Sequence, residues 1–435
     1  MRPRARILIV LIVAMAWVGS YGQGAAAPPP SPLTLQAAET LALQNNPQVT
    51  VARLVALASK QVVRETRSAY WPQAAVNLTG VDAQDNSRIS AGGLNNPIIF
   101  PRAAAGTIVS QLITDFGRTR NLVASSNLRA KAEQQNALAT AEQIKLAVDQ
   151  AFYAALQSQA VLQVANQTVQ SRQTVVDQIQ ALFQSKLKSS LDLSFANVNL
   201  AQAKLLLLDA QNNSNAALAD LSAALGYSNL QNLRLADDSA PLPRVPGSAD
   251  QFIVEAMQKR PELAALNYNY QSAEKFRVAE RDLVLPSVRA LGAVGSTPLA
   301  GATELAPWYG AVGADIEIPV FNGFLFSARA KEAQLRAQAS KEQLRNLQDT
   351  IARDVRNGWL NATTAYQRVD VSRQLLHQAN LSLDLAQTRY KLGLGSIVEL
   401  SQAQLQQTQA EIGNAQATYD YKLALRALQF QVGNL

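Results

Sequence analysis

Cysteine is absent from the 435-residue chain, histidine occurs once (His377) and methionine three times. The missing cysteine excludes a disulfide framework and a lipid attached to an N-terminal cysteine. One histidine, and Met257 as the only methionine beyond Met15, leave little for a soft-metal site or a histidine-based catalytic dyad. Aspartate, glutamate, serine and lysine are plentiful, but no Ser/His/Asp or carboxylate-rich constellation gathers at a loop, so neither an enzyme nor a cofactor is expected. His377 stands where the other half of the chain has Gln170, and reads as a solvated helix residue. Breakers are scarce too. Neither glycine nor proline occurs between Gly117 and Gly226, and no proline follows Phe324.

A long apolar run is missing everywhere except at the N-terminus. Arg2, Arg4 and Arg6 precede "ILIVLIVAMAWV" (residues 7–18), and small residues follow. A charged start, an apolar stretch too short to span a bilayer comfortably and small residues after it form a secretory signal, expected over residues 1–24. Removing those arginines takes the formal charge from +7 to +4. So mild a charge on so long a chain does not call for nucleic acid.

What is present is written twice. "NNP" at 45–47 answers "KRP" at 259–261, an offset of 214, and Trp71-Pro72 answers Leu285-Pro286 at the same offset. Further on, Phe183-x-x-Lys186-x-x-Ser189-x-x-Asp192-Leu193 answers Tyr390-x-x-Gly393-x-x-Ser396-x-x-Glu399-Leu400 at an offset of 207, as Gly226 answers Gly433. The first repeat is expected over 25–226, with helices 34–70, strands at about 72–83 and 106–116, and a helical hairpin 118–225. A linker follows at 227–247. The second repeat, 248–435, has helices 248–284, strands at about 286–296 and 308–321, and a hairpin 323–432. Thr34 and Ser248 open the first helix of each half, Ser248 with Gln251 in capping-box spacing. Pro47 restarts a helix at a position proline favours.

The alternating segments have period two. Trp308, Gly310, Val312, Ala314, Ile316, Ile318 and Val320 fall on one face, and Tyr309, Ala311, Gly313, Asp315 and Glu317 on the other. That is a strand between an apolar and a polar medium, or equally a sandwich strand. Residues 118–183 would make a helix of roughly 100 Å, too long for a compact domain. Heptad-spaced Leu162, Val169, Val176 and Phe183 mark it, as Val369, Leu376, Leu383 and Tyr390 mark its counterpart. The returning helix and the entering one together match that length, so each bend lies far from the strands. Four strands cannot cross a bilayer as an open sheet, and the smallest closed outer-membrane barrels have about eight, so copies must share a barrel.

The two-fold repeat, the bend "RYKLGLGSIVEL" (389–400) and its echo "FQSKLKSSLDL" (183–193) resemble the TolC family of outer-membrane efflux proteins over nearly all of the mature chain. The resemblance implies a mainly α fold with a membrane β-barrel portion: a homotrimer whose shared barrel of about 12 strands continues as a helical tunnel into the periplasm. It implies a passive exit duct of a tripartite efflux or type I secretion system, in outer-membrane lipid, docked to a periplasmic adaptor and an inner-membrane transporter. The bends become the adaptor-facing tip, with Lys186, Ser189, Gly393, Gly395 and Ser396. The family pattern has glycine at the place of Lys186 and a basic residue at that of Gly395. Asp192 and Tyr390 match positions that pair across a closed entrance. Glu399 and Gln402 match acidic rings, so three copies of Glu399 would hold a divalent cation, unless Glu399 points outward as a solvated residue. Trp71, Trp308 and Tyr309 are expected as aromatics at the bilayer interfaces. The competing reading is a secreted helical scaffold or filament, which would need no detergent for extraction.

Overall fold

The computed structural model describes residues 32–82, 101–237, 241–245, 247–300 and 306–435. The signal segment expected at 1–24 lies outside them. Helices α1 (Leu35–Asn45) and α2 (Pro47–Arg67) lead to strands β1 (Gln73–Val81) and β2 (Arg102–Thr114), then to α3 (Arg118–Gln184) and α4 (Ser190–Ala224). The same order follows with α5 (Ala249–Lys259), α6 (Pro261–Arg281), β3 (Ser287–Ala300), β4 (Trp308–Glu317), α7 (Leu325–Lys391) and α8 (Ile397–Val432). Lengths agree closely: α1 and α5 have 11 residues each, α2 and α6 have 21, α3 and α7 have 67, and α4 and α8 have 35 and 36. Among the described residues no helix is long and apolar enough to cross a membrane.

Local chemistry sets the helix starts. Thr34 Oγ1 accepts from Ala37 N at 3.3 Å, and Asn46 Oδ1 accepts from Gln48 N at 2.9 Å just before Pro47. At α5 the cap differs from expectation. Ser248 Oγ accepts from Asp250 N at 3.2 Å rather than from Gln251, because a serine at the N-cap can reach the second or the third turn amide. The capping box forms instead at Ser189 and Asp192.

The four strands form one antiparallel sheet in chain order, β1-β2-β3-β4. Register places Val76, Thr107, Val294 and Gly310 in one row, and Ala74, Val109, Gly292 and Val312 in the next row of the same face. Among the described residues nothing packs on that face, for Val312 is 94 % exposed. Asn77, Gly106, Gly295 and Tyr309 form a row of the opposite face. There a Cβ added at Gly106 or Gly295 would run into the hydroxyl and ring of Tyr309. The two glycines therefore make a seat on which the tyrosine lies flat across three strands, as an aromatic ring covers strand glycines elsewhere. β4 ends at Glu317, short of the expected 321, since Pro319 has no N–H to donate. β2 begins at Arg102, ahead of the expected 106, because it pairs there with both Val81 and Ala300.

Each long helix runs ~100 Å before the chain turns back. All four hairpin helix ends close alike. Leu187 N donates to Leu182 O at 2.8 Å, Tyr227 N to Ser222 O at 3.0 Å, Leu394 N to Arg389 O at 2.8 Å, and Asn434 N to Gln429 O at 2.9 Å. These are Schellman closures, which need one left-handed residue. Gly226, Gly393 and Gly433 supply it with φ of 87°, 74° and 82°, but the first bend uses Lys186 at φ 61°. Gly226 and Gly433 have a second duty. A Cβ on Gly226 would lie 2.9 Å from the Asn45 carbonyl carbon, and on Gly433 it would lie 3.2 Å from Arg260 N. The end of each returning helix thus abuts the joint that precedes α2 or α6.

The helices pack largely through alanine, with Ala38, Ala42, Ala155 and Ala362 fully buried. One polar group is buried just as deeply. Asp149 on α3 accepts from Arg426 Nε of α8 at 2.6 Å, and the same guanidinium bonds Glu39 of α1. Two carboxylates share one cation, and Asp149 Oδ1 has no partner. Burial pushes the Asp149 carboxyl from 3.8 up to about 7, outweighing the lowering by Arg426.

Two predictions arise from this packing. Lys186→Gly should stabilise the first bend by about 1 kcal/mol, since it removes the Cβ cost of the left-handed conformation; unfolding midpoints of the detergent-solubilised variant check it. Between the unfolded value of 3.8 and about 7, the folded state holds a proton on Asp149 that the unfolded chain has released. Stability should therefore fall as pH rises through that window, and Asp149→Asn should flatten the fall. Denaturation at a series of pH values, wild type beside variant, measures both slopes.

Candidate functional site

The two bends lie side by side. Val176, Ile179, Ala196 and Leu200 of the first hairpin bury against Tyr390, Ile397 and Leu400 of the second. Between them runs a groove of about 570 Å³ whose lining includes Gln178, Leu182, Lys188, Gln387, Tyr390 and Leu392. Of the residues expected at one tip, Gly393 lines this groove together with Leu187 and Lys188, which lie between Lys186 and Ser189 in the other bend.

Serine opens both returning helices. Ser189 Oγ accepts from Asp192 N at 3.2 Å, and Ser396 Oγ from Glu399 N at 3.1 Å. Asp192 closes its box by accepting from Ser189 N at 3.0 Å and from Ser189 Oγ at 2.7 Å. The Ser189 hydroxyl holds the Asp192 carboxyl below its usual range. Asp192 is thus committed to its own helix, and the expected hydrogen bond from Tyr390 is not made. The Tyr390 hydroxyl is buried with no hydrogen-bond partner. Its ring instead sits under the Lys188 ammonium, 4.0 Å from Nζ to the centroid. Burial, and then the charge of Asp192, push the phenol above its ordinary value.

At the second bend Arg389 Nε donates to Glu399 Oε1 at 3.0 Å, and Arg389 Nη2 donates to Leu394 O at 3.2 Å. The arginine clasps the bend. Gly395 makes room for it, because a Cβ there would lie 3.2 Å from both Arg389 Cβ and Glu399 Oε2. Glu399, expected in a cation ring, has its charge offset within its own hairpin. Beside it Gln402 lines a shallow groove with Ser382, Leu385, Arg389 and Gln406. Among the described residues no cluster of three or more His, Cys, Asp or Glu side chains could hold a metal ion.

Sequence reasoning missed Lys188 and Arg389, whose roles depend on where the ring and the carboxylate arrive. It also passed over Leu187 and Leu394, which are 70 % and 67 % exposed at equivalent places in the two bends. Their spacing of 207 was the available signal. The Ser189-x-x-Asp192 spacing likewise announced a capping box.

At the other end of the molecule Trp71 and Trp308 are each 69 % exposed. Trp71 precedes β1 at the helix side of the sheet, and Trp308 pairs with Ser296 at the far side. They stand roughly 20–25 Å apart along the strands, close to the height of an outer-membrane apolar band. Tyr309 faces the other way, onto its glycine seat, rather than standing with Trp308.

Residues 40–227 and 252–434 match the profile of the family described as outer membrane efflux protein. The outer membrane efflux protein BepC of Brucella suis is 23 % identical over 407 residues, covering 92 % of this chain and 86 % of its own. The outer membrane protein TolC of Salmonella enteritidis is 22 % identical over 421 residues, covering 92 % and 83 %. Among solved structures, CusC superposes with a TM-score of 0.79 at 19 % identity, covering 92 % of each chain. VceC of Vibrio cholerae does so with 0.76 at 16 %, covering 92 % of this chain and 96 % of its own. Both halves of the chain, bends included, fall within the matched segments, and the chain belongs to the outer membrane efflux protein family.

Proposed function

We propose that the protein is the outer-membrane exit duct of a tripartite efflux or type I secretion system, a passive channel and not an enzyme. One observation carries the reading: a four-stranded sheet, open at both edges and bare on one apolar face, continues into hairpins ~100 Å long. A filament in water would leave that face exposed, whereas lipid covers it. Unpaired strand edges are prohibitive in hydrocarbon, so β1 and β4 must pair with other copies. Three copies close a barrel of about 12 strands, with Trp71 and Trp308 at its two interfaces.

The chain then comprises a signal removed after export, repeats at 25–226 and 248–435, and a linker at 227–247. With no cysteine, the mature protein carries no N-terminal lipid. The tip of Lys186, Ser189, Gly393, Gly395 and Ser396 faces a periplasmic adaptor, beyond which stands an inner-membrane transporter. Exposed Leu187 and Leu394 give that surface an apolar component. Asp192, Tyr390, Glu399 and Gln402 surround the tunnel entrance. A divalent cation at Glu399 would have to displace Arg389.

Two measurements test the reading. Mass determination in detergent should find a trimer of this 46.8 kDa chain before signal removal is counted, and a stable monomer would sink the shared barrel. At the tip, Gly393 has open space around its Cβ position but φ of +74°. Gly393→Arg therefore costs about 1–2 kcal/mol of backbone strain and no clash, too little to prevent assembly. Export should be abolished with trimer yield unchanged, while Gly393→Ala, which shares the strain without the bulk, should retain export. Normal export by the arginine variant would remove the tip from the docking surface.

A further inference from the structure

Between the tip and the sheet, α3 and α8 bury a group of polar side chains that the entrance does not use. Thr168 and Arg172 lie one turn apart on α3, Gln404 and Thr408 one turn apart on α8, and all four are buried. Arg172 is 8 % exposed, yet among the described residues its guanidinium makes a single hydrogen bond, from Nη2 to Thr408 Oγ1 at 3.5 Å. The Gln404 amide nitrogen is buried with no acceptor. Both threonine hydroxyls spend their protons on their own helices, Thr168 on Val164 O at 2.8 Å and Thr408 on Gln404 O at 3.1 Å.

The place is rich in donors, and no carboxylate among the described residues pairs with its cation. None of the ion pairs among the described residues includes Arg172. Glu411, one turn beyond Thr408, is hydrogen-bonded by Gln407, and burial pushes its carboxyl up. Burial pulls the Arg172 guanidinium down to about 10, which leaves it charged at neutral pH. Water could satisfy its N–H groups but not its charge, and a buried cation without a counter-charge is costly. Arginine's planar fork of donors suits an anion.

We infer that Arg172 and the Gln404 amide form a binding site for a small inorganic anion, with chloride the abundant candidate. The site lies ~18 Å from the first bend along α3. Because α3 belongs to the first hairpin and α8 to the second, the anion would fasten one to the other. The inference does not depend on the channel reading.

Thermal unfolding of the detergent-purified full chain, followed by helical circular dichroism, tests it in chloride and gluconate at equal ionic strength. Raising chloride from about 10 to about 500 mM should lift the wild-type midpoint by a few degrees, as mass action requires of a ligand of the folded state. Arg172→Gln should lose this response, and Gln404→Leu should weaken it while keeping the cation. Crystals grown in bromide should show an anomalous peak within hydrogen-bond reach of the guanidinium, a readout that needs no variant to fold. A wild-type midpoint indifferent to chloride, an equal response in Arg172→Gln, or no bromide at Arg172 overturns the site. A carboxylate of a neighbouring copy filling the place would give the first of these outcomes.

Discussion

Backbone hydrogen bonding at the edges of the sheet governs the rest of this molecule. Among the described residues, β1 and β4 each have one side with no strand beside it, and nothing packs on the apolar face of the sheet. In water such a sheet invites aggregation, and in lipid its free amides and carbonyls would each cost several kcal/mol. Closure with further copies satisfies both demands at once. In the proposed assembly everything below the sheet has to respect that closure, and the matched helix lengths of the two halves are what it would require. A barrel assembled from repeated strand pairs sits evenly on its helices only if each pair is carried by a similar hairpin.

The hairpins meet a second constraint, that a helix of 67 residues must turn back without leaving carbonyls unsatisfied. The same Schellman closure serves at Lys186, Gly226, Gly393 and Gly433, each with positive φ. Three of these use glycine, and two of them also bring backbone against backbone at the joints preceding α2 and α6. The lysine is tolerated because its bend is exposed and the strain is only about 1–2 kcal/mol. At the tip the carboxylates are committed locally, Asp192 to its cap and Glu399 to Arg389, whereas the Tyr390 ring reaches across to Lys188 of the other hairpin. The two hairpin ends are joined by the packing around Tyr390, Ile397 and Leu400, by the Lys188 ammonium over the Tyr390 ring, and by Asn199 Nδ2 donating to Ser401 Oγ at 2.7 Å.

Farther up, polar groups do the joining. Arg426 draws Asp149 and Glu39 together across three helices, and Ser125 and Ser272 exchange buried hydrogen bonds between α3 and α6. An interior built from alanine lets helices approach closely but offers little apolar area at roughly 25 cal/mol per Å². Directional bonds at a few levels then fix how the helices are aligned along their length.

Much of this was legible in the residues alone. Period two gave the strands, the absence of glycine and proline from 118 to 225 gave the long helix, and the repeated spacing of Ser189 and Ser396 gave the bends. These signals are local, set by backbone sterics and by the alternation of side chains along a helix or strand, so they survive without knowledge of the fold. The strand ends were less legible, because β2 starts where its neighbours allow and β4 stops at Pro319. The tertiary structure alone decided that Tyr309 lies on Gly106 and Gly295, that Tyr390 leaves Asp192 to its cap, and that Arg172 is buried without a carboxylate. Such pairings join residues far apart in the chain, 277 positions for Asp149 and Arg426 and 387 for Glu39 and Arg426. No sequence spacing encodes them, because they depend on which helix faces which and at what height.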